Sequence, residues 1–487
     1  MNRLLLPIRN LVPNNRFVRN VSVLAGGTAA GQLIVIAASP ILTRLYTPED
    51  FGLLAVYAGI LGILGVIASL RYQLAIPLPE SDQEAASIAV LSLLVVLITT
   101  FFTAVAVYFF GDHIIGSLNT PGLGPYLWLV PLGLFLVGAY QVFQFWAIRT
   151  KEFSNIARTR FTQSLGMVIT QVAGYSLGPI ALLLGRVVGQ GAGVLALTRS
   201  AFKTFSKEFL ETTFTSVKSR ASEYKHFPMV SIWTGLASSG GSNLPPLLIA
   251  ASLGVGPAGI YSLAHRVLSQ PMAIIGAAVG DVFYRQAAES NRDGTLGRTV
   301  ERVYSSLAML ALPPALAAFL LIPDIFVFVF GDNWSEAGEV GRWMIPWLFF
   351  QLVVTPSTRI YPILGLHGVA LKFQLSFLCS TVFSVLVGGW VFNNLVTTVA
   401  LISTINSFVY IWRSASTFEL VGLKRRRAFY ALLKAFPSAL LGSFPIIVLM
   451  IFYDNIFNSG LVSLFLVSTS CVLLLVLGVF NSKKVLS

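Results

Sequence analysis

The chain has 487 residues, of which 55% are hydrophobic and only 11% charged, and its mean hydropathy is +0.78. That composition excludes a large soluble protein and places the chain among integral membrane proteins. The net charge of +13 is spread over short gaps between apolar runs, so it reads as topology charge beside anionic lipid head groups and not as a nucleic-acid surface.

A bilayer core takes about 20 apolar residues per spanning helix. Fourteen segments qualify: 18–43, 51–70, 85–110, 125–148, 160–177, 179–198, 227–252, 258–283, 303–329, 341–364, 370–392, 395–412, 429–453 and 460–480. Numbered from a cytoplasmic N-terminus, and with charges near segment ends counted with the adjoining gap, the gaps sort all 33 Lys and Arg: 28 fall on cytoplasmic gaps, two on outer gaps (Arg44, Arg342) and three inside helices (Arg186, Arg266, Arg359). Cytoplasmic loops concentrate Lys and Arg, so both termini are expected inside. The basic start (Arg3, Arg9, Arg16, Arg19) runs into the first segment with no A-x-A-like site at a fitting distance, so that helix is expected to stay.

Along the chain, polar residues recur inside the segments. Segment 1 carries Thr28, Gln32, Ser39 and Thr43 at spacings of 4, 7 and 4, and segment 4 carries Gln141 and Gln144. In segment 6, Arg186 sits within Gly185-Arg-Val-Val-Gly189-Gln-Gly191-Ala-Gly193, whose small-residue spacing favours close helix packing. The longest cytoplasmic gap, 199–226, mixes charge with Ser and Thr at near-helical spacing and predicts an interfacial helix. In segment 7, Ser238–Asn243 precedes Pro245-Pro246, which should loosen or break the helix. Segment 8 holds His265-Arg266 among Ser262, Ser269 and Gln270. Segment 10 holds Gln351, Thr355 and Arg359 at i, i+4 and i+8, a single polar stripe. Segments 13 and 14 are apolar nearly all round, with Lys424–Arg427 anchoring the first at the cytoplasmic surface. Cys379 and Cys471 sit within apolar segments and read as packing residues.

The two halves carry a weak internal repeat, at offsets of about 207–220 residues. Phe110-Gly111-Asp112 should end the third helix as Phe330-Gly331-Asp332 ends the ninth. Tyr46–Gly52 precedes helix 2 as Gly254–Gly259 precedes helix 8. Six helices per copy is an even number, so the copies share an orientation, a parallel repeat with a substrate site expected between halves. The expected fold is therefore an all-α polytopic membrane protein of about 14 transmembrane helices. It comprises an N-terminal lobe at 1–202, a cytoplasmic linker at 203–225, a C-terminal lobe at 226–418 and two extra helices in 419–487.

The sign of the interior decides what it can hold. Acids of the first lobe lie at loops or helix ends, and Asp281 and Asp324 sit near helix ends, so the deep charges are cationic. Such a cavity attracts anions, and the planar fork of Arg suits phosphate. Arg266 and Arg359, with His265, Gln351, Thr355 and Gln32, are the residues expected to line it; Arg186 ranks below them. There is no Walker A, no H-E-x-x-H and no paired Cys, and the four histidines are scattered, so neither an enzyme nor a cofactor or metal site is expected.

Pro40-Ile-Leu-Thr-Arg44-Leu-Tyr46-Thr-Pro48-Glu-Asp-Phe-Gly52-Leu-Leu-Ala55 and Leu70-Arg71-Tyr72-Gln-Leu-Ala75-Ile-Pro-Leu-Pro79, then Glu84-Ala85, closely resemble the polysaccharide transporter family of bacterial O-antigen and exopolysaccharide flippases. That family lies within the multidrug/oligosaccharidyl-lipid/polysaccharide exporter superfamily. The motif match covers about the first 90 residues, and Gln73 stands where the family commonly has Glu, which puts an ion-coupling role there in doubt. The resemblance implies a flippase moving undecaprenyl-diphosphate-linked oligosaccharide to the outer leaflet by alternating access in the bacterial inner membrane. Such a cargo suits the cationic interior read from the residues, so Arg266 and Arg359 are expected to bind the diphosphate, and Arg44 and Arg71, in the matching motifs and at opposite mouths, rank next as entry or exit contacts. The expected partners are the anionic lipid-linked oligosaccharide, bacterial membrane lipids and polysaccharide polymerase machinery, with no nucleic acid. The rivals are a multidrug or cation antiporter of the same superfamily, and a membrane polysaccharide polymerase or glycosyltransferase.

Overall fold

A computed structural model describes residues 16–437, and no strand occurs among them. Fourteen α-helices follow in order, α1 Arg16–Leu45, α2 Pro48–Ile67, α3 Asp82–Leu118, α4 Leu129–Arg149, α5 Phe153–Ala173, α6 Pro179–Leu210, α7 Phe214–Glu223, α8 Ile232–Leu253, α9 Val255–Arg292, α10 Leu296–Phe330, α11 Ser335–Val354, α12 Ile360–Ile363, α13 His367–Leu386 and α14 Leu395–Leu420, and a fifteenth begins at 426 and is described to 437. All-helical structure is what hydrocarbon demands, because a backbone without water must satisfy its own hydrogen bonds. Among the described residues, nine helices are long and apolar enough to cross a membrane. Predicted segments 5, 7 and 10 also fall on helices (α5, α8 and α11), but Arg158 and Arg160, the Ser238–Asn243 run, and Glu336, Glu339 and Arg342 dilute their hydropathy. Segment 13 is described only to residue 437; segment 14 and Cys471 lie outside the described residues. Cys379 is exposed on α13 and not packed.

The described residues divide into two compact units. One runs to Tyr46 and resumes over Leu53–Asn243; the other takes Thr47–Gly52 and everything from Leu244 on. In the first, α3, α4 and α6 close around a core in which Trp146 is 1% exposed and meets Phe205 and Phe209 at 5.3 and 4.7 Å. Truncating such a side chain costs about 3–5 kcal/mol. The short helix α7 lies along α3, tied by Arg220 to Glu84 at 2.7 Å and by Ser216 to Ser87 at 3.1 Å. Gly185, Gly189 and Gly193 seat α6 on α5 with no room for a side chain. In the second unit α11 packs between α10 and α14, and the Asn406 amide joins Ser380 and Thr381 across α13 and α14.

The Tyr46–Gly52 motif resolves into helix-start chemistry. Thr47 is the N-cap of α2 and Pro48 its first residue. The Thr47 backbone N–H donates to Asp50 Oδ2 at 3.0 Å, and the Asp50 N–H donates back to Thr47 Oγ1 at 3.3 Å, a capping box. Phe51 lies edge-on against Trp334 at 4.9 Å. Gly52 lies against the Val255 carbonyl, and Gly259 lies against the Pro48 carbonyl. The two pairs share one offset, 255 − 48 = 259 − 52 = 207, so the starts of α2 and α9 touch reciprocally.

Three local expectations are corrected. Phe110-Gly111-Asp112 does not end a helix, since α3 continues to Leu118. Gly111 keeps helical backbone, whereas Gly331 takes φ +94 and does stop α10. Pro245 and Pro246 sit inside a continuous α8, and the irregular turn falls earlier, as a π-turn over Phe227–Ser231. Segment 10 is not one helix: Pro356 removes a backbone donor, and α11 gives way to a 3₁₀ turn over Pro356–Arg359 before α12.

Candidate functional site

A cavity of about 450 Å³ opens in the second unit. One wall is α9, which shows it only Met272, Ala273, Gly276 and Ala277, small residues at helical spacing apart from the methionine. Facing it are Gln351, Leu352 and Thr355 from the end of α11 and Thr358 and Arg359 from the 3₁₀ turn. Tyr361 and Pro362 of α12, Ala370 of α13 and Arg413 of α14 complete the lining. The break at Pro356 turns Arg359 toward α9. A Cβ at Gly280 would lie 3.3 Å from Arg359 Nε, so the bare glycine lets the guanidinium lie against the helix.

Arg359 is half exposed, and its Nη2 lies 3.5 Å from Asp281 Oδ1 on α9. The interior is therefore less purely cationic than the sequence pattern implies, because folding brings Asp281 to an arginine that is distant in the chain. Arg413 lies over two aromatic rings, 5.5 Å from the Tyr361 centroid and 5.4 Å from that of Phe373. Cation–π contact holds such a guanidinium while leaving its outer donors available. Tyr361 is fixed in turn by a 2.9 Å hydrogen bond between its hydroxyl and that of Thr417.

Of the residues expected from sequence, the structure brings Gln351, Thr355 and Arg359 into this one cavity. His265 and Arg266 are half-buried on α9 outside its lining; the His265 ring stacks between Tyr261 and Trp347 at 5.7 and 5.8 Å. The others belong to the first unit. Gln32 is half-buried on α1, and Arg44 is exposed in the last turn of α1, where a cation favours the helix dipole. Arg186 is half-buried on α6 within electrostatic reach of Tyr57. Arg71 has left-handed backbone at φ 67 just before a 3₁₀ turn, and its guanidinium packs on Gly235 of α8. Burial lowers the Arg71 pKa from its ordinary value by disfavouring the charged form. Gln73 is buried and donates from Nε2 to Gln141 Oε1 at 3.1 Å, and Gln141 Nε2 donates to the Gly65 carbonyl at 3.2 Å. An ionised Glu has no donor for Gln141, which accounts for the amide at this position.

Sequence reasoning missed Arg413 and Arg149. Arg413 falls one residue past predicted segment 12 and so counted as a loop charge, but α14 continues to Leu420 and carries it into the interior. Arg149 also counted as a loop charge. It clamps the α2–α3 connection, donating to Asp82 Oδ1 at 2.9 Å and to the carbonyls of Ile76, Pro79 and Glu80. The amphipathic continuation Arg413-Ser-Ala-Ser-Thr417 was the available signal for the first; nothing local marked the second.

Helices long enough to span a bilayer, with a cavity lined by two arginines, define a multi-pass membrane protein. A family described as polysaccharide biosynthesis protein matches residues 41–339, and the chain belongs to it. It is 24% identical over 313 residues to the succinoglycan biosynthesis transport protein ExoT of Rhizobium meliloti (strain 1021), covering 62% of this chain and 60% of that protein. It is 25% identical over 237 residues to the lipopolysaccharide biosynthesis protein WzxC of Escherichia coli (strain K12), covering 48% of this chain and 47% of that protein. The match thus spans about half to three fifths of these relatives' length. Among solved structures, lipid II flippase MurJ in an inward closed conformation is similar with a TM-score of 0.74, over 95% of this chain and 99% of that one. At 12% identity that likeness speaks for the fold alone.

Proposed function

We propose that this protein is a flippase that carries a diphosphate-linked, lipid-anchored oligosaccharide, an O-antigen or exopolysaccharide unit, from the cytoplasmic to the outer leaflet. The observation that carries this reading is the cavity, which places Arg359 and Arg413 beside Gln351, Thr355 and Thr358. Forked cations suit a phosphate group, and amide and hydroxyl groups suit sugar hydroxyls. ExoT and WzxC are named for succinoglycan biosynthesis transport and lipopolysaccharide biosynthesis, and those names support the same reading. Transport proceeds by alternating access, with the head group crossing through the protein while the lipid tail stays in the bilayer. No bond is made or broken, which separates this role from that of a polymerase or glycosyltransferase. Both termini lie in the cytoplasm, the membrane is the bacterial inner membrane, and polymerase machinery takes up the delivered unit. Deleting the gene should abolish a surface polysaccharide and leave resistance to cationic drugs unchanged. Intact polysaccharide with lost drug resistance would overturn the proposal in favour of an antiporter.

A further inference from the structure

Arg359 and Arg413 are held in opposite ways. Arg359 faces a carboxylate, Asp281, at 3.5 Å in a single contact between two half-exposed side chains, 50% and 56% accessible. Arg413 meets no carboxylate of the described residues at ion-pair distance; it rests on the Tyr361 and Phe373 rings, and its buried Nε has no hydrogen-bond partner. Two arginines less one aspartate leave one positive charge in excess. A monodentate, solvated ion pair is weak, so an anion offering more oxygens can displace it.

From this we infer that Arg359 and Arg413 form a two-point site for a diphosphate ester, with Asp281 as a built-in competitor that occupies Arg359 when the cavity is empty and returns to it as the cargo leaves. This deepens the flippase reading and rests on it for the identity of the cargo. The aspartate serves turnover: it lowers the cost of an empty dicationic cavity and limits how tightly the anion is held, so that release stays fast. Gly280 leaves room beside Asp281 for the guanidinium, since a Cβ there would lie 3.3 Å from Arg359 Nε.

The test is calorimetric titration of the purified full-length protein in neutral detergent with inorganic pyrophosphate. Wild type should bind, and Arg359→Ala and Arg413→Ala should each weaken binding by roughly tenfold or more. Arg413→Lys should fall between, since it keeps the charge and loses the stacked plane. Asp281→Asn should tighten binding by about twofold to fivefold, the range open to a half-exposed ion pair. That gain of affinity keeps the test independent of folding, because a damaged protein does not bind better. No pyrophosphate binding by wild type, unchanged binding in Arg413→Ala, or equal or weaker binding in Asp281→Asn would each overturn the inference. A competition arm separates the two sources of phosphate: phosphatidylglycerol displacing pyrophosphate as well as a short polyprenyl diphosphate does would make this a lipid head-group site and overturn the diphosphate assignment. If the binding pattern holds while a deletion strain makes normal polysaccharide, the anion site stands and the flippase reading fails.

Discussion

Adding one methyl group at Gly52 or Gly259 should push α2 and α9 apart. A Cβ at Gly259 would lie 2.7 Å from Gly52 N and 3.0 Å from the Pro48 carbonyl carbon, with the Pro48 oxygen nearer still; a Cβ at Gly52 would lie 2.7 Å from the Val255 carbonyl carbon. Ordinary contact begins at 3.4 Å, so relief of the 2.7 Å contacts alone needs a retreat of 3.4 − 2.7 = 0.7 Å, and the nearer carbonyl oxygens need more. The obstructing atoms are backbone and cannot rotate away, which puts each substitution at the upper end of overpacking costs, about 2–3 kcal/mol. Because both clashes open along one interface, the separation that relieves the first relieves much of the second. The double variant should therefore cost clearly less than the sum of the singles. Gly26→Ala is the control: on α1 its Cβ meets nothing within 4 Å, and helix propensity should make it neutral or stabilising by about 0.5–1 kcal/mol. The assay is the temperature at which detergent-purified protein loses its monodisperse size-exclusion peak. Wild-type melting in both Gly52→Ala and Gly259→Ala, or strict additivity in the double variant, would refute the reciprocal contact.

Export should fall in the order wild type, Arg359→Lys, Arg359→Ala, Arg359→Glu, measured as surface polysaccharide normalised to protein level in the membrane. Lysine keeps charge without the fork, and glutamate repels both anion and Asp281. Normal export by all three would remove Arg359 from the transport path. Arg149→Ala should loosen the 76–82 connection and destabilise the first unit by about 1.5–3 kcal/mol, because three carbonyls and a carboxylate share its donors. Hydrogen exchange there should rise, with only partial recovery in Arg149→Lys, and unchanged protection would show that the clamp carries no load.

How much could be read in advance follows from how far each feature reaches along the chain. Apolar run length and the placement of Lys and Arg are one-dimensional quantities, and they fixed the membrane class, the helix positions and the expected orientation. Gln351, Thr355 and Arg359 were recognisable as a group because neighbours on one helical stretch stay together even where Pro356 interrupts it. What tertiary structure alone decided is which distant segments complete the site. Asp281 reaches Arg359 from α9 and Arg413 reaches the cavity from α14, and no periodicity in either helix announces the other's approach. Conversely, Arg266 and His265 looked like equals of Arg359 by depth in the membrane, yet their positions on α9 place them outside the cavity lining. Depth is set by position along a helix, which sequence determines. Facing is set by how helices rotate against their neighbours, and that is a property of packing.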